Sequence, residues 1–348
     1  MTWIIENESF ANGDILLPAL KSLGKDYILW DDNYWNTEEY KNFPKESIFH
    51  GSLCNAERIR KLYYFSPGSI CNEVGFRYSD IYEIFKTDLL NQDVIFTTIS
   101  EVLNNPSIIK QLKTDKLFAR PDSHLKEFSG RIIPTEGLTP VHFDYGFYHE
   151  NINLPIVLAP LKRVEKEFRF ICVDHKIVTG CEYVADGRKG GRTINIENKE
   201  PAYLFAQKIA DDNSYYHIAY VIDVCISNGK FYLVEMNPFS GADFYNCDAK
   251  KIIEAIEAFI IRCKEIDERW EKLKVEDVWH EDHRFENKIL SRCHEEYSVD
   301  IFLQDGSYSV KVYMEDPSGK GDMVAYQSFS TLEEAKEFAI SKISRKLS

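Results

Sequence analysis

Residues 220–241 read YVIDVCISNGKFYLVEMNPFSG, two apolar runs on either side of Asn228-Gly229, a pattern that predicts a β-hairpin. Its second strand ends in Glu235-Met236-Asn237. Side chains two apart on a strand share a face, so Glu235 and Asn237 project together, and Asp223 on the partner strand is the natural third member. Three converging oxygen donors suit a hard cation such as magnesium, which keeps part of its shell for substrate phosphates. The hairpin therefore points to a nucleotide-dependent enzyme. A strict two-residue Asn228-Gly229 turn pairs Asp223 with Val234 and leaves Glu235 out of step. A three-residue loop, Asn228-Gly229-Lys230 with Gly229 left-handed, sets Asp223 opposite Glu235, and this is the expected turn. Taken alone, the same letters also describe a hairpin with solvated polar side chains.

At 348 residues the chain has room for two or three units that each bury a core. With 44% apolar and 14% aromatic residues, its composition is not that of a disordered chain. A net charge of −14 argues against a nucleic-acid backbone or an anionic membrane as the main partner. Eight cysteines (Cys54, Cys71, Cys172, Cys181, Cys225, Cys247, Cys263 and Cys293) show no C-x-x-C pair and no histidine spacing for structural zinc. The opening MTWIIENESF has no basic flank, and no run approaches the ~20 apolar residues of a membrane span. A cytoplasmic chain with free thiols and no membrane partner is expected.

The overall pattern is α+β. Residues 1–100 alternate short apolar runs (Trp3-Ile4-Ile5, 27–30, 47–50, 94–96) with helix-like stretches at 15–23 and 55–62, which predicts a small α/β domain. Residues 101–275 change to longer strands in hairpin order, at 117–120, 155–158, 168–174, 176–183, 219–227 and 230–235. A helix over 249–270, with Ile252, Ile253, Ile256, Phe259 and Ile260 on one face, closes that unit. Residues 276–295 read as a linker and 296–348 as a βββα module. Its strands lie at 298–303, 308–314 and 323–329, its turns at Asp305-Gly306 and Pro317-Ser318-Gly319, and Ser330-Thr331-Leu332-Glu333 offers a capping box to a helix ending near 346. From Glu295 onward ten acids stand against six bases, which disfavours a DNA reader and favours packing or docking of a protein partner.

Four further stretches carry chemistry. Arg120 ends a strand and enters the polar loop 121–130, PDSHLKEFSG, where it can fork phosphate oxygens with Lys126 as a point charge above them. Residues 155–161, PIVLAPL, form an apolar strand and connector that can offer backbone groups to an adenine edge, or serve as a plain buried strand edge. Glu167 and Arg169 share one strand face, suited to ribose hydroxyls and to a phosphate or developing oxyanion, or to a cross-strand ion pair. Residues 186–192, DGRKGGR, make a basic loop that can cover an anionic intermediate or stand as a solvated turn, without the spacing of a P-loop. His142, His149 and His217 have no partner spacing for a metal or nucleophile and read as structural.

In this order the R-P strand, the connector, the E-x-R hairpin and the D-x(11)-E-x-N-P hairpin resemble the ATP-grasp superfamily, closest to its bacterial and phage-associated clade named for one arginine and two lysines. The resemblance covers residues 100–260, with the first hundred as the smaller domain that precedes it. It implies ATP held between two α+β subdomains. Arg120 replaces the usual lysine before proline, and Lys126 sits on the phosphate loop. Ala159, Pro160 and Leu161 stand at the adenine hinge, Glu167 at the ribose and Val234 at the adenine floor. Asp223, Glu235 and Asn237 hold magnesium, and Lys176 and Arg192 contact phosphate or acyl groups. Arg169, Lys126 and Arg192 are the expected catalytic groups. The implied activity is ATP-dependent carboxylate–amine ligation through an acylphosphate, with acid and amine left open between small molecules, peptides and proteins. Direct phosphoryl transfer and non-catalytic nucleotide binding are the alternatives.

Overall fold

The computed structural model describes residues 1–6, 13–143, 152–185, 188–215, 217–272, 288–294, 297–304, 307–315 and 321–344. His149, Asp186-Gly187, Asp305-Gly306 and Pro317-Ser318-Gly319 lie outside them. The chain divides into two compact units, 1–210 with 217–254, and 211–216 with 255–348. Among the described residues no helix is long and apolar enough to cross a membrane.

The first unit contains three sheets. Tyr27–Leu29, Thr2–Ile5, Ser47–His50 and Gly68–Ser69 form a parallel sheet in that order. Thr2–Ile5 and Ser47–His50 are buried along their whole length, as central parallel strands covered on both faces must be. The helix Leu53–Leu62 starts where the Ser52 side chain accepts from the Asn55 N–H and stops at a left-handed Tyr63. The second sheet is antiparallel, ordered Ile95–Thr98, Pro155–Pro160, Lys116–Pro121 and Arg131–Pro134. Leu117, Ala119, Ile133, Ile156 and Leu158 form its core with Ile99 and Val102.

The third sheet carries the hairpin. Its order is Arg188–Ile194, Lys176–Ala185, Lys166–Val173, Ala219–Ser227 and Lys230–Pro238, all antiparallel. Phe168, Phe170 and Cys172 pack beside Tyr220, Ile222 and Val224 on one face, against Ala202, Ala206 and Ile209 of one helix and Ile81 and Phe85 of another. The hairpin turn differs from the sequence expectation. Ser227 pairs with Lys230, so the loop has two residues, Asn228 and Gly229, both at positive φ (50° and 70°). Register is recovered further along, where Val224 pairs with Leu233 but Asp223 pairs with Glu235. Val234 is the extra residue of a β-bulge on this edge strand. The core records the same step, since Leu233 and Met236, three apart, both enter it.

In the second unit the sheet has four strands, Lys288–His294, Tyr297–Gln304, Ser307–Glu315 and Gly321–Phe329, followed by the helix Leu332–Ser344. The expected βββα module therefore gains a strand, drawn from residues read as linker. Val299, Ile301, Leu303, Tyr308, Val310, Leu332, Ala335 and Ala339 are buried there. The capping box sits one residue later than expected. The Thr331 hydroxyl accepts from the Glu334 N–H, and Glu334 reaches back to the Thr331 N–H.

Candidate active site

A cavity of about 500 Å³ opens on the polar face of the hairpin sheet, within the size range of small-molecule sites. Phe118 and Arg120 line it from the second sheet, and Lys126 with residues 128–130 from the following loop. Glu167, Arg169, Tyr183, Asp223, Val234, Glu235 and Asn237 line it from the third sheet, and Gly241, Ala242, Asp243 and Tyr245 from the segment beyond.

Strand alternation and register place the charges. Asp223 lies between Arg169 on one neighbouring strand and Glu235 on the other. Arg169 forks onto Asp223 through Nε (2.8 Å) and Nη2 (2.7 Å), and its Nη1 donates to the Asp243 carbonyl at 2.6 Å. Tyr183 and Tyr245 stack at 4.6 Å and 10°, with the guanidinium 4.7 Å from the Tyr245 ring centre. Glu235 receives Lys126 Nζ at 2.5 Å and Arg120 Nη2 at 2.7 Å. Burial works against both carboxylates. Lys126 and Arg120 outweigh it at Glu235 and hold that carboxyl well below its ordinary range, whereas at Asp223 burial prevails over the single Arg169 and pushes the carboxyl up. Burial also raises Glu167, against a hydrogen bond from Tyr183.

Asn237 binds the two acids together, donating through Nδ2 to Asp223 Oδ2 and Glu235 Oε1, each at 3.0 Å. Its Oδ1 is buried with no protein partner. An orphaned carbonyl oxygen beside two carboxylates is an all-oxygen donor set, and that set fits magnesium.

The loop 121–130 is held from beneath. His124 Nε2 lies 3.6 Å from Glu57 Oε2, and Glu57 is gripped by Arg60 at 2.9 Å. This contact fixes the loop two residues from Lys126, whose own φ is +49°.

Eight of the sequence-predicted residues thus meet in one cavity: Arg120, Lys126, Glu167, Arg169, Asp223, Val234, Glu235 and Asn237. The others stand apart from its lining. Ala159 is buried opposite Phe118, and Pro160 and Leu161 continue past the end of that strand pairing. Lys176 is exposed opposite Val173, five positions from the Cys181 that pairs with Arg169, which is about 17 Å along the strand. Arg192 is exposed and engaged by Glu200 at 2.8 Å and Glu182 at 3.4 Å. Tyr183, Asp243 and Tyr245 were not picked out from sequence. Tyr183 falls at a bulge between Glu182 and Val184 that breaks the alternation, and the other two lie in a segment without periodicity. His217 is buried against Phe76, and His142 caps its own turn at Thr139, both without a part in the cavity.

Residues 89–255 match the family model R2K_2, described as an ATP-grasp domain, clade family 2. Comparison with curated proteins finds no match. Among solved structures, the D-alanine–D-alanine ligase of Bacillus anthracis complexed with ATP aligns at 14% identity over 76% of this chain and 98% of that one, with a TM-score of 0.50. D-cycloserine synthetase DcsG aligns at 12% identity over 74% and 99%, with a TM-score of 0.47. The ATP-grasp ligase PsnB complexed with minimal precursor aligns at 12% over 74% and 98%, with a TM-score of 0.43. The fold is the ATP-grasp fold, and the chain is a member of that superfamily.

Proposed function

We propose that this chain is an ATP- and magnesium-dependent carboxylate–amine ligase of the clade named for one arginine and two lysines, with residues 1–100 as the preceding α/β domain and 101–275 as the ATP-grasp domain. The observation that carries this reading is the convergence of Asp223, Glu235 and the orphaned Asn237 oxygen beside Arg120 and Lys126.

Asp223, Glu235 and Asn237 would hold the metal. Magnesium supplies charge neutralisation between the phosphates when bound. Arg120 and Lys126 now neutralise Glu235 and lie within reach of the space a polyphosphate would occupy, so they can exchange the carboxylate for phosphate oxygens. Glu167 faces the ribose, and Val234 and Phe118 the base. A substrate carboxylate oxygen attacks the γ-phosphorus, ADP departs, and the acylphosphate carbonyl is then attacked by an amine with loss of phosphate. No side-chain nucleophile is needed. Arg169, pinned by Asp223 and the Asp243 carbonyl, presents a fixed positive charge where oxyanion charge develops. The C-terminal unit is read as a packing or docking module for a protein partner.

Mass spectrometry of reactions containing ATP, magnesium and a cell extract tests this directly. The expected product has the mass of an acid plus an amine minus water, formed with ADP. Unchanged turnover in both Glu235→Gln and Asn237→Ala would refute the assignment, and a phosphorylated product without an amide would replace ligation by phosphoryl transfer.

A further inference from the structure

We propose that Cys181 and Cys247 form a redox modification site in the wall of the cavity, a dithiol that a small hydroperoxide closes to a disulfide. The inference rests on geometry and stands apart from the ligase reading. The two sulfurs lie 3.6 Å apart, although their residues come from a sheet strand and from the segment beyond the hairpin. A disulfide bond is about 2.0 Å long, so each sulfur has to move by about 0.8 Å. Cys181 is fully buried and Cys247 is 6% exposed.

The environments of the two thiols give them different tasks. The Cys247 hydrogen bond favours the thiolate of Cys181 against burial, helped by the Asn246 backbone and Arg169. Burial pushes Cys247 well up. Cys181 is therefore the attacking sulfur and Cys247 the resolving one. The Cys181 thiolate attacks one peroxide oxygen, the O–O bond breaks, and hydroxide leaves to collect the proton that Cys181 released. The Cys247 sulfur then attacks the resulting sulfenic acid, the S–O bond breaks, and the oxygen departs with the Cys247 proton as water. Two thiols and one hydrogen peroxide become one disulfide and two waters.

The consequence is local and specific. Residues 243–247 already clasp the site: the Asp243 carbonyl accepts from Arg169, Tyr245 stacks on Tyr183, and Cys247 Sγ lies 3.7 Å from the Arg169 carbonyl oxygen. A Cys181–Cys247 bond ties that segment covalently to the strand bearing Tyr183. Oxidation thereby fixes one wall of the cavity.

The test uses the full-length protein, exposed to hydrogen peroxide, denatured, capped with iodoacetamide and analysed by intact mass and peptide mapping. The expected result is a monomer lighter by two hydrogens and a linked peptide joining Cys181 to Cys247, both reversed by dithiothreitol. The Cys247→Ser variant should halt at oxidised Cys181 with no linked peptide. Capping of both Cys181 and Cys247 after a peroxide dose that oxidises the exposed Cys54 would overturn the proposal, as would a linked peptide joining other cysteines. The wild-type protein alone decides between these outcomes, whether or not the variant folds.

Discussion

Asp223 faces Glu235 across the hairpin because Val234 bulges between them, and each carboxylate is neutralised by its own cations, Arg169 for Asp223 and Lys126 with Arg120 for Glu235. Two acids that would repel each other in a buried site are held together by three flanking positive groups. The arrangement is charged throughout, and its members are expected to respond differently to removal.

The Arg169–Asp223 pair is the most deeply buried of these contacts, with side chains 8% and 2% exposed. Arg169→Met strands an unpaired carboxylate in the sheet, which is expected to cost about 3–5 kcal/mol in urea unfolding. Lys166→Ala removes an ion pair to Glu182 at 3.3 Å whose lysine is 42% exposed, and less than about 1 kcal/mol should be lost. Equal losses in the two variants would contradict the burial argument.

Acid should destabilise the protein in two separate windows. Burial lowers His50 from its ordinary 6.5 to about 4, although its ring meets the Ala242 carbonyl at 3.1 Å. The unfolded chain therefore takes up this proton first, and stability falls as the pH drops from about 6.5 to 4, by up to about 3 kcal/mol. His50→Gln should flatten this slope. At Glu57 burial is outweighed by Arg60 and Lys61, which hold the carboxyl down to about 2. Its contribution is complete above 4.5 and is lost as the pH falls toward 2, so Glu57→Gln should change only the lower window. Urea midpoints measured from pH 7 to 3 separate the two.

Gly180 illustrates a glycine required by packing. A Cβ there would stand 2.3 Å from Cδ1 of the buried Phe170 ring. Gly180→Ala is expected to cost about 1–3 kcal/mol by displacing that ring. A variant as stable as wild type in thermal unfolding would show that the core has slack at this point.

Much of the site was legible from residue order, because strand alternation fixes which side chains share a face. Glu167 with Arg169 and Glu235 with Asn237 needed only period two. The route by which Asp223 reaches Glu235 was not legible. Asn228-Gly229 made the short turn locally, as its composition favours, and the mismatch moved to a bulge at Val234 that carries no residue signature. Tyr183 and Tyr245 escaped notice for a related reason, one at a second bulge and the other in an aperiodic segment. The C-terminal strand Lys288–His294 was hidden by its polar, linker-like neighbours.

The central claim is that Glu235 serves a metal-bound nucleotide and holds Arg120 and Lys126 until one arrives. Calorimetric titration of ADP into wild type and Glu235→Gln, with and without magnesium, tests it most directly. Wild type should bind ADP more tightly when magnesium is present. In Glu235→Gln the magnesium effect should disappear, while metal-free affinity stays the same or rises because both cations are released. The same magnesium dependence in both proteins would contradict the claim.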